Sequence, residues 1–216
     1  MPCPPLPFLL SRTTLGNGLV RYCPLLSLPL MSDAVVLVDT TDRPQGTADK
    51  LKAHAEGWLH RAFSVFVFDR QGRLLLQRRA PDKYHSGGLW SNTCCSHPRA
   101  EEPPATAAQR RLREEMGFSC PVTAAFQRTY RAPVGNGLVE HELDHVFIGT
   151  VRNATIRANS NEVAEWTWTA PAALQTDVAA HPERYTPWFR LLLDDTLAAA
   201  SAQAGHGTNG SEPARS

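Results

Sequence analysis

The chain has 216 residues and a net charge of +1, with 42% hydrophobic and 20% charged residues. These values suit one soluble domain that buries a single good core. No basic block or acidic tail is present and no apolar run reaches the ~18–20 residues that cross a bilayer, so neither nucleic acid nor membrane is an expected partner.

Residues 1–30 are rich in Pro and Leu, and lack a basic stretch ahead of an apolar patch and a small-residue cleavage site. They read as a disordered extension, or as sequence ahead of a true start at Met31. The domain itself is expected over 31–200, and the small, polar residues 201–216 as a disordered tail. "AVVLVD" (34–39) predicts a first strand, and 48–59 a helix or a loop. Residues 62–80 predict a hairpin turning at Asp69-Arg70-Gln71-Gly72.

"ATAAQRRLREEMGF" (105–118) predicts a helix entered through prolines and ended by Gly117, with Ala108, Leu112 and Met116 facing the core. Strands are expected near 122–131, 139–151 and 163–169, then a helix over 187–200. This mixture implies α+β or a three-layer α/β sandwich. The cysteines, at 3, 23, 94, 95 and 120, are odd in number and include two neighbours. No disulfide framework fits them, which points to a reducing compartment, the cytoplasm.

Chemistry could reside in several places. On a strand, Glu140 and Glu142 of "LVEHELDHVF" share a face, where they repel unless a cation or a shared proton compensates. Taken alone, such a pair reads as a solvated outer face. His54, His60 and His97, one by one, read as surface or capping residues, although three His and two Glu could form a five- or six-coordinate N/O metal site. "RRLREEMGF" fits the second half of a Nudix box, G-x5-E-x7-R-E-U-x-E-E-x-G-U (U, aliphatic or aromatic). Glu102, Arg110, Leu112, Glu114, Glu115 and Gly117 match it, while Ser96 stands at the first Gly and Arg111 at the Glu after the box Arg. Exchanging a carboxylate for a guanidinium weakens a Mg²⁺ site and supplies a phosphate-binding fork. The bland alternative is an exposed Arg111–Glu115 ion pair.

With "LHRAFSVFVFDRQGRLLLQRRAPDKYHSGGLWSNTCCSHP", "YRAPVGNGLVEHELDHVF", "NEVAEWTW" and "TPWF" in order, residues 33–192 resemble type I isopentenyl-diphosphate isomerase of the Nudix superfamily. The resemblance implies a Nudix-like mixed sheet flanked by helices. It also implies interconversion of isopentenyl and dimethylallyl diphosphate, within isoprenoid biosynthesis. By resemblance, Cys95, Glu142 and Tyr130 are catalytic. His54, His60, His97, Glu140 and Glu142 match ligands of one divalent ion, Zn²⁺, Mn²⁺ or Mg²⁺. Glu115 matches a ligand of Mg²⁺ carried with the diphosphate. Lys50, Arg79, Lys83, Arg111 and Trp188 match substrate-binding positions. Cys94 falls at a variable position.

The chemistry suits these residues. Moving an unactivated double bond takes an acid and a base on opposite faces of a small substrate, with Glu142 giving a proton to C4 and Cys95 taking one from C2. Trp188 would face the intervening tertiary cation. The competing readings are a Nudix diphosphate hydrolase, disfavoured by Arg111, and a non-catalytic binding module, disfavoured by the acid–base pair. The expected partner is a small prenyl diphosphate, and a monomer is compatible with the sequence.

Overall fold

A computed structural model describes residues 34–206. The expectations for residues 1–30 and for a start at Met31 lie outside the described residues, as does the tail beyond 206.

In chain order come β1 (Ala34–Val38), β2 (Pro44–Asp49), α1 (Lys50–Glu56), β3 (His60–Phe68), β4 (Leu74–Arg79), β5 (Trp90–Ser91) and β6 (Cys94–Ser96). Then follow α2 (Pro104–Met116), β7 (Val122–Gly135), β8 (Leu138–Thr150), β9 (Val163–Thr169), α3 (Pro171–Ala180) and α4 (Pro187–His206). The elements β2, β5, β6 and α3 escape the sequence reading, β5 and β6 because they are only two and three residues long. β2, "PQGTAD", is a strand only because it pairs with β1. The 48–59 stretch resolves into α1, capped by the Asp49 carboxylate on Lys52 N (2.9 Å) and ended by Gly57 at φ 65°. α4 runs on to His206, into the stretch expected to be disordered, because "TLAAASAQ" is rich in good helix formers.

The hairpin turn forms as expected. Asp69 accepts hydrogen bonds from Gln71 N and Arg73 N (both 2.9 Å), and Gly72 sits at φ 71°. Its two arms, however, share a single pair, Phe68 with Leu74. β3 instead runs parallel to β8, from His60 opposite Glu142 to Phe68 opposite Thr150, and antiparallel to β6. β4 pairs with β9 and β5. β7 and β8 form a long hairpin closed by Asn136-Gly137, both at positive φ.

β3 is buried on both faces, so its alternate residues build two cores. Phe63, Val65 and Val67 pack with Ala107, Ala108, Leu112 and Met116 of α2. Phe66 and Phe68 pack with Val146, Ile148 and, from α3 and α4, Leu174, Trp188 and Phe189. Of the two classes open from sequence, the molecule is the three-layer one, a mixed sheet between α2 and the α3–α4 pair.

Gly117 ends α2 at φ 72°, and a Cβ there would come 2.3 Å from Arg157 O, whose own N–H donates to Met116 O (3.0 Å). Gly117→Ala is therefore expected to destabilise the fold. The left-handed backbone alone costs about 1–2 kcal/mol and the overlap adds to it, measurable as a lower urea midpoint with unchanged m.

Candidate active site

β8 turns Glu140, Glu142 and Asp144 to one face by strand alternation, and all three are buried. The solvated-face reading of Glu140 and Glu142 is thus corrected. Their companions on that face, Val146 and Ile148, belong to the core under α4. Tyr130, opposite Glu142 across the β7–β8 ladder, donates its hydroxyl to Glu142 Oε2 (2.6 Å) and lies 3.2 Å from Glu140 Oε2. Two buried neighbouring carboxylates resist joint ionisation. Burial, and then the Glu142 charge, pushes Glu140 well above the usual carboxylate range. Burial also opposes the charge on Glu142, yet the imidazoles of His60 and His97 hold it well below that range.

Those imidazoles converge from three elements. His60 opens β3 in register with Glu142, its Nε2 3.4 Å from Glu142 Oε1. His97, just past β6, has Nε2 3.0 Å from the same oxygen. His54, in the last turn of α1, has its ring 4.8 Å from that of His60 and 5.6 Å from that of His97. The surface reading of these histidines is corrected too: His54 and His60 are fully buried and His97 is half-buried, because the elements that carry them close around Glu142.

Their hydrogen bonds test whether a metal fits. His54 Nδ1 donates to Lys50 O and His60 Nδ1 to Trp58 O, both at 2.7 Å. In the neutral ring each Nε2 is then the nitrogen with a free lone pair, and both Nε2 atoms are buried without a hydrogen-bond partner. Ligating histidines have this arrangement, with the second nitrogen fixed by a carbonyl. Ligand atoms of His54, His60, His97 and Glu142 all lie within 4.8 Å of one another, an N/O set suited to a divalent cation. Glu140 falls instead in an overlapping group with His54 and His85. Four of the five expected ligands thus fall in one group, and Glu140 in a second that shares His54 and adds His85.

Strand alternation also separates the adjacent cysteines. In β6, Cys94 lies opposite Val65 and packs under α2, whereas Cys95 lies opposite Ser64 and lines the pocket. Both are free thiols, raised by burial above the usual thiol range.

The same pocket is lined by Lys50, Arg79, Lys83, Arg111, Glu115 and Trp188. The Arg79 guanidinium stands 5.2 Å from the Trp188 ring centre, and the Trp188 indole N–H donates to Asn92 Oδ1 (3.2 Å). The Lys50 ammonium stands 4.9 Å from the Tyr84 ring centre. Arg111 donates to Glu114 (2.9 Å) and to buried Glu115 (2.6 Å), so the Arg111–Glu115 pair forms in the pocket wall and not as an exposed surface pair. Burial opposes the Arg111 charge, but Glu115 and its neighbours, Glu162 and Glu114 among them, together outweigh it and hold the guanidinium above its ordinary value. Arg110, by contrast, grips Glu102 with two hydrogen bonds (2.7 and 2.8 Å) and braces the loop before α2.

The NUDIX domain pattern matches residues 58–189. Isopentenyl-diphosphate Delta-isomerase 2 of Aromatoleum aromaticum is 52% identical over 171 residues, 79% of this chain and 90% of that protein. The chain belongs to the isopentenyl-diphosphate Delta-isomerase family. Members from Burkholderia multivorans (49% identical, covering 76% of this chain and 93% of that one) and Serratia proteamaculans (46%, covering 76% and 92%) agree. Among solved structures, a Deinococcus radiodurans protein matches with TM-score 0.63 and 20% identity, covering 74% of this chain and 97% of that one. A MutT protein of Methanosarcina mazei gives 0.54 and 17%, covering 67% and 95%. These two speak to the fold alone.

In this family member, every site residue expected from sequence borders the pocket or the imidazole cluster beside it. Tyr84, His85 and Glu162 also line it and were missed. They lie in irregular segments, where no periodicity marks a side chain as inward. Asp144, which accepts a hydrogen bond from the pocket residue Ser64 (2.8 Å), was legible as the next step of the period that carries Glu140 and Glu142. Calorimetric titration with Mn²⁺ or Zn²⁺ is expected to show tight binding that His60→Ala or His97→Ala weakens by roughly tenfold or more. His141→Ala should leave it unchanged, since the His141 Nδ1 bonds Gly57 O (3.0 Å), away from the cluster.

Proposed function

We propose that the chain interconverts isopentenyl and dimethylallyl diphosphate through protonation, a tertiary cation and deprotonation. The observation that carries this is one pocket lined by a thiol, Cys95, and a carboxylate, Glu142, on two strands that both pair with β3, with four cationic side chains around them. Arg111 in place of a box carboxylate, ion-paired to Glu115, disfavours the hydrolase alternative.

Burial and the imidazoles favour a Cys95 thiol and an ionised Glu142 in the free protein, the pair from which the reverse direction starts. In the forward direction the one proton starts on Glu142, which gives it to C4, the π pair forms the new C–H bond, and C3 becomes cationic. Cys95, as thiolate, takes the C2 proton, and that C–H pair closes the C2=C3 bond. In the reverse direction the two exchange roles, so one proton serves both. Tyr130 fixes Glu142 through the 2.6 Å hydrogen bond. Trp188, held by Asn92, offers its π face to the cation, an effect of about 2 kcal/mol or more when desolvated.

His54, His60, His97 and Glu142, with Glu140 adjoining, would hold Zn²⁺, Mn²⁺ or Mg²⁺. Such an ion would withdraw charge from Glu142 and make a proton on it more acidic. Lys50, Arg79, Lys83 and Arg111 take the diphosphate, which arrives with Mg²⁺ as part of the substrate and next to Glu115. The remote anion thus supplies binding energy while the hydrocarbon end reacts. The free thiols fit work in the reducing cytoplasm, and no described helix is long and apolar enough to cross a membrane.

Purified protein with Mg²⁺ and isopentenyl diphosphate in deuterated water should give dimethylallyl diphosphate labelled at its new methyl by NMR. Phosphate release without that product would establish the hydrolase instead. Cys95→Ala and Glu142→Gln should each lower kcat by roughly two to four orders of magnitude with the fold retained. Cys94→Ala should leave turnover nearly unchanged, and an inactive Cys94→Ala beside an active Cys95→Ala would reverse their assignment. Arg111→Glu should raise KM by roughly tenfold or more.

A further inference from the structure

The segment "NEVAEW" enters the pocket at one point, the side chain of Glu162, for which the reaction above has no use. Its carboxylate is ion-paired with the Lys83 ammonium and lies 3.3 Å from Arg111 Nη2. Those two cations come from separate parts of the chain, Lys83 from the loop after β4 and Arg111 from α2. Glu162 is where they meet.

The backbone of Glu162 is tied on both sides. Residues 159–162 form a turn in which Glu162 N donates to Asn159 O (2.9 Å) and Asn161 N to Asn159 Oδ1 (3.1 Å). Asn159 N donates to Glu115 O at the end of α2 (2.8 Å), and Ala80 N, just past β4, donates to Glu162 O (2.9 Å). The turn therefore straps the box helix to the strand that carries Arg79, and it places the carboxylate through both.

We propose that Glu162 is a positioning residue for the anion end of the pocket, bridging Lys83 and Arg111 so that a diphosphate meets a preformed pair of cations. The proposal rests on the reading of that end as a diphosphate site. Lys and Arg are the side chains with the most rotamer freedom to lose on binding, and a fixed carboxylate between them removes that loss beforehand. A carboxylate beside an anion also repels it, so the two effects predict opposite signs. The geometry favours positioning. Arg111 keeps further partners in Glu114 and Glu115, and burial, though it opposes the Glu162 charge, is outweighed by Lys83 and Arg111, which hold the carboxylate ionised.

The test uses the full chain with Glu162→Ala, Glu162→Gln and Glu162→Asp. It measures KM and kcat for isopentenyl diphosphate, and calorimetric binding of Mg²⁺–pyrophosphate, which requires no turnover. Positioning is upheld if Ala and Gln raise KM and weaken pyrophosphate binding by about tenfold, with kcat within about twofold, melting temperature unchanged and Asp restoring part of the affinity. Wild-type affinity in Glu162→Gln, or tighter binding, overturns it and leaves the diphosphate reading standing. Failure of the wild-type protein to bind Mg²⁺–pyrophosphate overturns the diphosphate reading and this proposal together.

Discussion

Burying Glu140 and Glu142 side by side is the constraint on which the rest of the site depends. Like charges out of water are costly unless they share a proton or meet cations and hydrogen-bond donors. Here Tyr130 donates to Glu142 and lies 3.2 Å from Glu140, Glu140 is pushed toward its protonated form, and imidazoles from α1, β3 and the end of β6 close around Glu142. The parallel pairing of β3 with β8 sets His60 level with Glu142. The sheet's topology thus serves the compensation of charge as much as the packing of its cores.

The opposite end of the pocket inverts the problem. There cations outnumber carboxylates, with Glu115 and Glu162 both against Arg111 Nη2 and Glu162 also paired with Lys83. The box helix splits between the two tasks. Its Arg110–Glu102 grip holds a loop, Gly117 admits the strap at Arg157, and Arg111 faces the pocket where a metal-binding carboxylate would otherwise stand.

Much of this was legible from residues alone. β-rich runs predicted β3, β8 and β9, the four-residue repeat of Ala108, Leu112 and Met116 predicted the buried face of α2, and Gly117 marked its end. What escaped has physical causes. β2 exists only through its partner, and β5 and β6 are too short to show a period. The arms of the 62–80 hairpin part because β3 pairs over nine residues with β8 and three with β6, and over a single one with β4. Glu140 and Glu142 read as solvated because alternation says which residues share a face, not which face is covered. The resemblance drew the site residues together, and Tyr84, His85 and Glu162 show what irregular backbone conceals.

The pairing of β6 with β3 has a consequence for errors in folding. A slip of one residue flips every side chain of a strand to the other side of its sheet. If β6 slipped so that Cys94 came opposite Ser64, the pocket would still receive a sulfur, and the layer under α2 would receive the other. The same slip would carry His97, next along the chain, away from Glu142, so a sulfur alone would survive it and only the native register keeps thiol and imidazole together.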